Sequence, residues 1–89
     1  MSTIENLSDR QKRTIYRAVH RGTKEMDWLM GKYVEANIKN LDETSHDLLD
    51  AFLQLPDPML ENWIMGRDFE IDSQYQSLVS QIRDFHDLS

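Results

Sequence analysis

The chain has no cysteine among its 89 residues. That absence excludes a disulfide framework, thiolate metal ligation, a cysteine nucleophile and thiol redox chemistry. Glycine is almost as scarce, with three residues in all. Gly22, Gly31 and Gly66 stand apart from one another, so no glycine-rich loop cradles a phosphate and no independent nucleotide or cofactor site is expected. His20, His46 and His86 lack the i, i+3 or i+4 spacing that sets two metal ligands on one helix face, and they read as surface residues. No apolar run approaches the ~20 residues that cross a bilayer. The start, Met1-Ser2-Thr3-Ile4-Glu5, lacks the basic-then-apolar order of a secretory signal. These features lead us to expect a cytoplasmic protein without membrane insertion.

What is present belongs to a folded domain. The chain is 39% hydrophobic and 29% charged and carries eight aromatic residues, more large apolar groups than a disordered chain holds. The net charge of −6 conceals an asymmetry. Residues 1–32 hold seven basic side chains against four acidic ones, whereas residues 33–89 hold three against twelve. An acidic body repels nucleic acid, while a local basic face can steer one chosen partner.

Apolar periodicity predicts five helices in a compact, single-domain all-α bundle spanning 1–89, with residues 1–7 as a flexible N-terminus and 67–72 as a connector. The first helix starts after Ser8, whose spacing to Gln11 is that of a capping box, and runs to about His20. Arg10, Arg13, Arg17 and Arg21 share one face of it, opposite Ile15, Ala18 and Val19. That stripe is either an ordinary solvated face or a guide for an acidic surface. Gly22 is placed as the C-terminal cap. The second helix has the cleanest stripe: Met26, Leu29, Met30, Tyr33, Val34, Asn37, Ile38 and Leu41. The third begins near Asp42, presents Leu48, Leu49, Phe52 and Leu53, and ends before Pro56. The fourth is short, with Asp57 as its cap, Pro58 in its first turn, Leu60, Trp63 and Ile64 on its core face and Gly66 as terminator. The fifth follows a cap at Asp72 or Ser73 and carries Tyr75, Leu78, Val79, Ile82 and then Phe85 or His86. Ser8, Ser45 and Ser73 read as capping residues, with no histidine placed in a motif to activate them. The carboxylates lie mainly on polar faces, so no catalytic residue is assigned and the protein is not expected to be an enzyme.

The segment Arg21-Gly22-Thr23-Lys24-Glu25 stands out. Arg21 supplies a fixed charge and a fork of donors, Gly22 allows another backbone to come close, and Glu25 opens the next helix. Favourable interaction of Arg21 and Glu25 with the helix dipoles accounts for the same residues without any partner. Trp28 lies roughly opposite the apolar stripe, among Lys24, Glu25, Lys32 and Glu35. It is either covered by another helix or available as an anchor.

These residues carry a resemblance. Arg21-Gly22-x-x-Glu25 followed by Asp27, Leu29, Gly31 and Tyr33, together with Leu55-Pro56-Asp57, Leu60, Trp63-Ile64 and Gly66 downstream, resembles the SdhE-type succinate dehydrogenase flavinylation factors. In mitochondria the same family is called succinate dehydrogenase assembly factor 2. The likeness covers about residues 10–66. His20, Thr23, Lys24, Trp28 and Glu61 depart from the residue types usual there.

The resemblance implies a five-helix fold and a non-enzymatic chaperone that binds the flavoprotein subunit of succinate dehydrogenase or fumarate reductase. Such a factor promotes covalent attachment of FAD held by that partner and binds no cofactor of its own. It also implies a partner-binding surface at Arg21, Gly22 and Glu25, which Asp27, Trp28 and Arg17 would extend, on a protein expected to be a monomer. Two other readings use the same features: an antitoxin-like regulatory binding module, and a helix-turn-helix nucleic-acid binder made of the first two helices. The acidic remainder of the chain weighs against the second.

Overall fold

The computed structural model describes residues 7–67 and 70–88. Five α-helices follow in order: α1 (Asp9–Val19), α2 (Lys24–Asn37), α3 (Glu43–Phe52), α4 (Asp57–Ile64) and α5 (Gln76–Phe85). Short 3-10 turns occupy Ile38–Asn40 and Ser73–Tyr75. No strand occurs among the described residues, in keeping with the all-α expectation.

Polar side chains set where the helices begin. Ser8 accepts from the Gln11 N–H at 3.1 Å while the Gln11 amide oxygen accepts from the Ser8 N–H at 2.8 Å, which completes the capping box. Thr23 caps α2 by accepting from the Met26 N–H at 3.1 Å. Asp42 caps α3 through the Ser45 N–H at 2.7 Å, so Ser45 is the capped residue and not the cap. Asp72, and not Ser73, caps the turn before α5 through the Gln74 N–H. The fourth helix corrects the expectation more sharply. Pro56 holds the cap position and Asp57 is already helical, because its carboxylate is engaged by Arg21. Gly22 likewise is not the cap of α1; His20 is, and Gly22 follows two residues later.

Helix α2 runs through the centre. Met26, Met30 and Val34 are completely buried, Leu29 and Tyr33 nearly so, and each such side chain stabilises the fold by about 1.5–3 kcal/mol. The rings of Phe52, Trp63 and Tyr75 form one cluster with centroids 5.4–6.3 Å apart, bringing α3 and α4 onto the approach to α5. Helices α1 and α2 cross closely at Gly31, where a Cβ would lie 2.7 Å from Val19 Cγ1. Even the methyl group of alanine at Gly31 would clash with Val19, so any side chain there would push the two helices apart. At the end of the α5 stripe, His86 turns inward and Phe85 stays 44% exposed. Leu7 belongs to the core, which shortens the expected flexible N-terminus; residues 1–6 lie outside the described residues. In the connector, residues 68 and 69 also lie outside them, while Ile71 packs against the core.

His46 is buried, contrary to its reading as a surface residue. The reason is a polar network between α1 and α3. The Thr14 hydroxyl donates to Asp50 Oδ1 at 2.7 Å and, at 2.8 Å, meets His46 Nε2, which serves as the donor. Arg10 then joins Asp50 at 3.0 Å and Asp47 at 2.5 Å. With each member supplied by another, the network can be buried at modest cost.

Burial alone raises the Asp50 pKa, but hydrogen bonds from Thr14 and Arg10 and the charges of His46 and Arg10 outweigh it, holding the carboxyl below its ordinary range. A carboxylate so depressed contributes stability that is full above its unfolded value of about 3.9 and is lost as pH falls through the lower folded value. Thr14→Val, close in shape but without the hydroxyl, should cost about 1–3 kcal/mol. It should also move the midpoint of acid unfolding to higher pH, as followed by circular dichroism; an unmoved midpoint would remove Thr14 from this linkage.

Candidate functional site

The turn joining α1 to α2 is braced from below. Arg21 Nε donates to Asp57 Oδ1 at 2.8 Å, and Nη2 lies 2.8 Å from the same oxygen. Nη2 also donates to the Leu55 carbonyl at 3.1 Å, and Nη1 donates to the carbonyl of Leu53, the residue that caps α3. One guanidinium thus joins the α1–α2 turn to the α3–α4 turn and supplies donors to carbonyls at a helix end, where a cation is favoured. The Arg21 side chain is only 10% exposed, and a partner's acceptor could reach it only in competition with these internal ones. In the structure it holds the α1–α2 turn against the α3–α4 turn.

Asp27 also faces inward. Its Oδ1 accepts from the Arg21 N–H at 2.5 Å and, more weakly, from the Gly22 N–H at 3.4 Å. Gly22 itself is exposed, with φ +128°. A Cβ there would sit an ordinary 3.7 Å from Asp57 Oδ2, so the backbone angle, not crowding, is what calls for glycine. His20, just before the turn, stacks on Tyr16 with ring centroids 4.0 Å apart.

The basic stripe of α1 is divided. Arg10 and Arg21, at its two ends, are drawn to acids of α3 and α4. Arg13 and Arg17 remain exposed and form no ion pair with another described residue.

Glu25 and Trp28 come together on the outer side of α2. With Leu29, Met65 and Leu88 they line an open groove of about 200 Å³ whose walls are almost wholly apolar. Trp28 is 54% exposed and rests on the His86 ring, centroid to centroid 4.6 Å. His86 Nε2 in turn lies 2.7 Å from the Leu29 carbonyl, to which it donates. Trp28 is thus neither covered by a helix nor unsupported: one ring holds it and the other side is open. Met65 and Leu88 were not among the expected site residues. Both lie just beyond the ends of helices, α4 and α5, where helical periodicity carries no signal.

The remaining chemistry is sparse. A second cavity of about 170 Å³, lined among others by Tyr33, Ser45, Ser77 and Gln81, has no charged side chain in its wall. No group of three His, Asp or Glu residues among those described is arranged to hold a metal ion. No described helix is long and apolar enough to cross a membrane.

Fold and site together define a small all-α protein that displays a braced turn beside an apolar groove. The chain belongs to the Sdh5 family, described as "Flavinator of succinate dehydrogenase", which matches residues 12–86. The chain is 41% identical over 63 residues to the FAD assembly factor SdhE of Acetobacter pasteurianus, covering 71% of this chain and 58% of the relative. It is 31% identical over 86 residues to the mitochondrial succinate dehydrogenase assembly factor 2 of Dictyostelium discoideum, covering 97% of this chain and 58% of the relative. It is also 31% identical over 77 residues to the FAD assembly factor SdhE of Legionella pneumophila strain Paris, 86% of this chain and 96% of that one. The chain therefore spans less than two thirds of the length of the first two relatives. No solved structure gives a significant match.

Proposed function

We propose that this chain is a non-enzymatic assembly factor that binds the flavoprotein subunit of succinate dehydrogenase, or of the related fumarate reductase, and promotes covalent attachment of FAD to a histidine of that subunit. The observation that carries this reading is family membership across residues 12–86, with the braced Arg21–Glu25 turn lying inside the matched region. The flavin and its host protein supply the bond-forming chemistry. The chain contributes a surface that holds the host so that histidine and flavin align, and alignment alone can account for large rate effects. In this proposal Arg21 and Asp27 set the turn, Gly22 lets the partner's backbone approach, Glu25 accepts its donors, and Trp28 and Arg17 widen the contact. The chain binds no FAD or metal itself, works as a monomer and acts in the cytoplasm or its mitochondrial equivalent.

The test is to express the candidate flavoprotein subunit with and without this chain and read covalent flavin by in-gel fluorescence after denaturation. The expected outcome is a marked gain of fluorescence with the chain present. Equal fluorescence in both samples would defeat the proposal.

A further inference from the structure

We propose that the groove between Trp28, Met65 and Leu88 receives one large apolar side chain of the flavoprotein partner, carried on a segment that has a lysine or arginine beside it. This rests on the function proposed above and specifies what the partner brings to the surface next to the turn. Size is the first argument. A groove of about 200 Å³ accommodates a single leucine- or phenylalanine-sized side chain, whereas cofactor and drug-sized ligand sites run to about 300–1,000 Å³. The lining is the second. Leu29, Met65, Leu88 and the open face of Trp28 offer carbon and almost no polar surface.

Charge complementarity sets the flank. Glu25 is the one charged residue lining the groove, and it is exposed, so a cation next to the apolar anchor would meet it at the rim. Preorganisation is the fourth consideration. His86 supports the Trp28 ring and is itself held by the Leu29 carbonyl, so less ordering remains to be done when a partner binds. An exposed tryptophan and methionine around a small apolar recess make up the composition in which a few residues dominate binding energy.

The experiment uses the full chain labelled with 5-fluorotryptophan and the isolated flavoprotein subunit of succinate dehydrogenase. Two fluorine resonances are expected, from Trp28 and Trp63, assigned with Trp28→Phe. On adding the subunit, the Trp28 resonance should shift and that of the buried Trp63 should not. Met65→Asp should weaken binding by about tenfold or more, with Met65→Leu close to wild type and both variants melting near the wild-type temperature. Glu25→Gln should weaken binding roughly threefold at low salt, and the difference should shrink at high salt. If the subunit binds while Trp28 stays unshifted and Met65→Asp binds as wild type, the groove assignment is overturned and the proposed function stands. A neutral Glu25→Gln overturns the basic flank, and a wild-type chain that fails to bind the subunit overturns both proposals.

Discussion

Arg21→Ala should destabilise the fold by about 2–4 kcal/mol, because it strands Asp57 and two carbonyls that now receive the guanidinium. For a chain of this size that corresponds to a fall in melting temperature of roughly 10–20 °C. Arg21→Lys should recover only part of the loss. An ammonium is a point charge and cannot serve Asp57, Leu53 and Leu55 through one planar fork. Asp57→Ala should also destabilise, and the double variant should lose less than the two single losses added, since the residues share one interaction. Urea unfolding of the four proteins measures this directly. A change under 1 kcal/mol for Arg21→Ala would show that the clamp contributes little. Flavin attachment is expected to fall with Arg21→Ala as well, and to recover in part at low temperature, where the folded population is restored.

Gly22→Arg should separate docking from folding. The substitution places a bulky side chain on the exposed turn at a backbone angle that side chains disfavour, for a stability cost of about 1–2 kcal/mol. Covalent flavin in the co-expressed subunit should nonetheless drop by more than tenfold, and cooling should not restore it. Gly22→Ala carries the same backbone penalty with little bulk, so it should retain most of the activity. Glu25→Ala should reduce attachment several-fold while the melting temperature stays near wild type, as Glu25 is exposed and its backbone lies within a helix capped by Thr23. If Gly22→Arg supports full flavin attachment, the turn is not the docking surface.

Most of the fold could be read from local signals. The Ser8–Gln11 box, the stripe of α2, the stop before Pro56 and the burial of Trp63 are each decided by neighbours within one or two helical turns. Other features depend on pairs distant in sequence and carried no such signal. Asp57 reads as a cap until Arg21, 36 residues earlier, takes its carboxylate. His46 reads as exposed until Thr14, 32 residues earlier, supplies its partner. The candidate site divides along the same line. Arg21, Gly22, Glu25 and Trp28 could be selected from the sequence, but that Arg21 faces inward while Gly22 faces out is a tertiary fact. Two adjacent residues of one motif thus have different tasks, and the spacing that makes them recognisable does not distinguish them.

The inward turn of Asp27 bears on what the α1–α2 turn can hold. Helix starts and glycine-containing turns commonly bind pyrophosphate through free main-chain N–H groups. Here the amides of Arg21 and Gly22 are both directed at a carboxylate of the chain itself. An incoming phosphate would have to displace a tethered anion already at close range and would meet its charge. At those two amides the turn is in effect pre-filled by its own counter-anion.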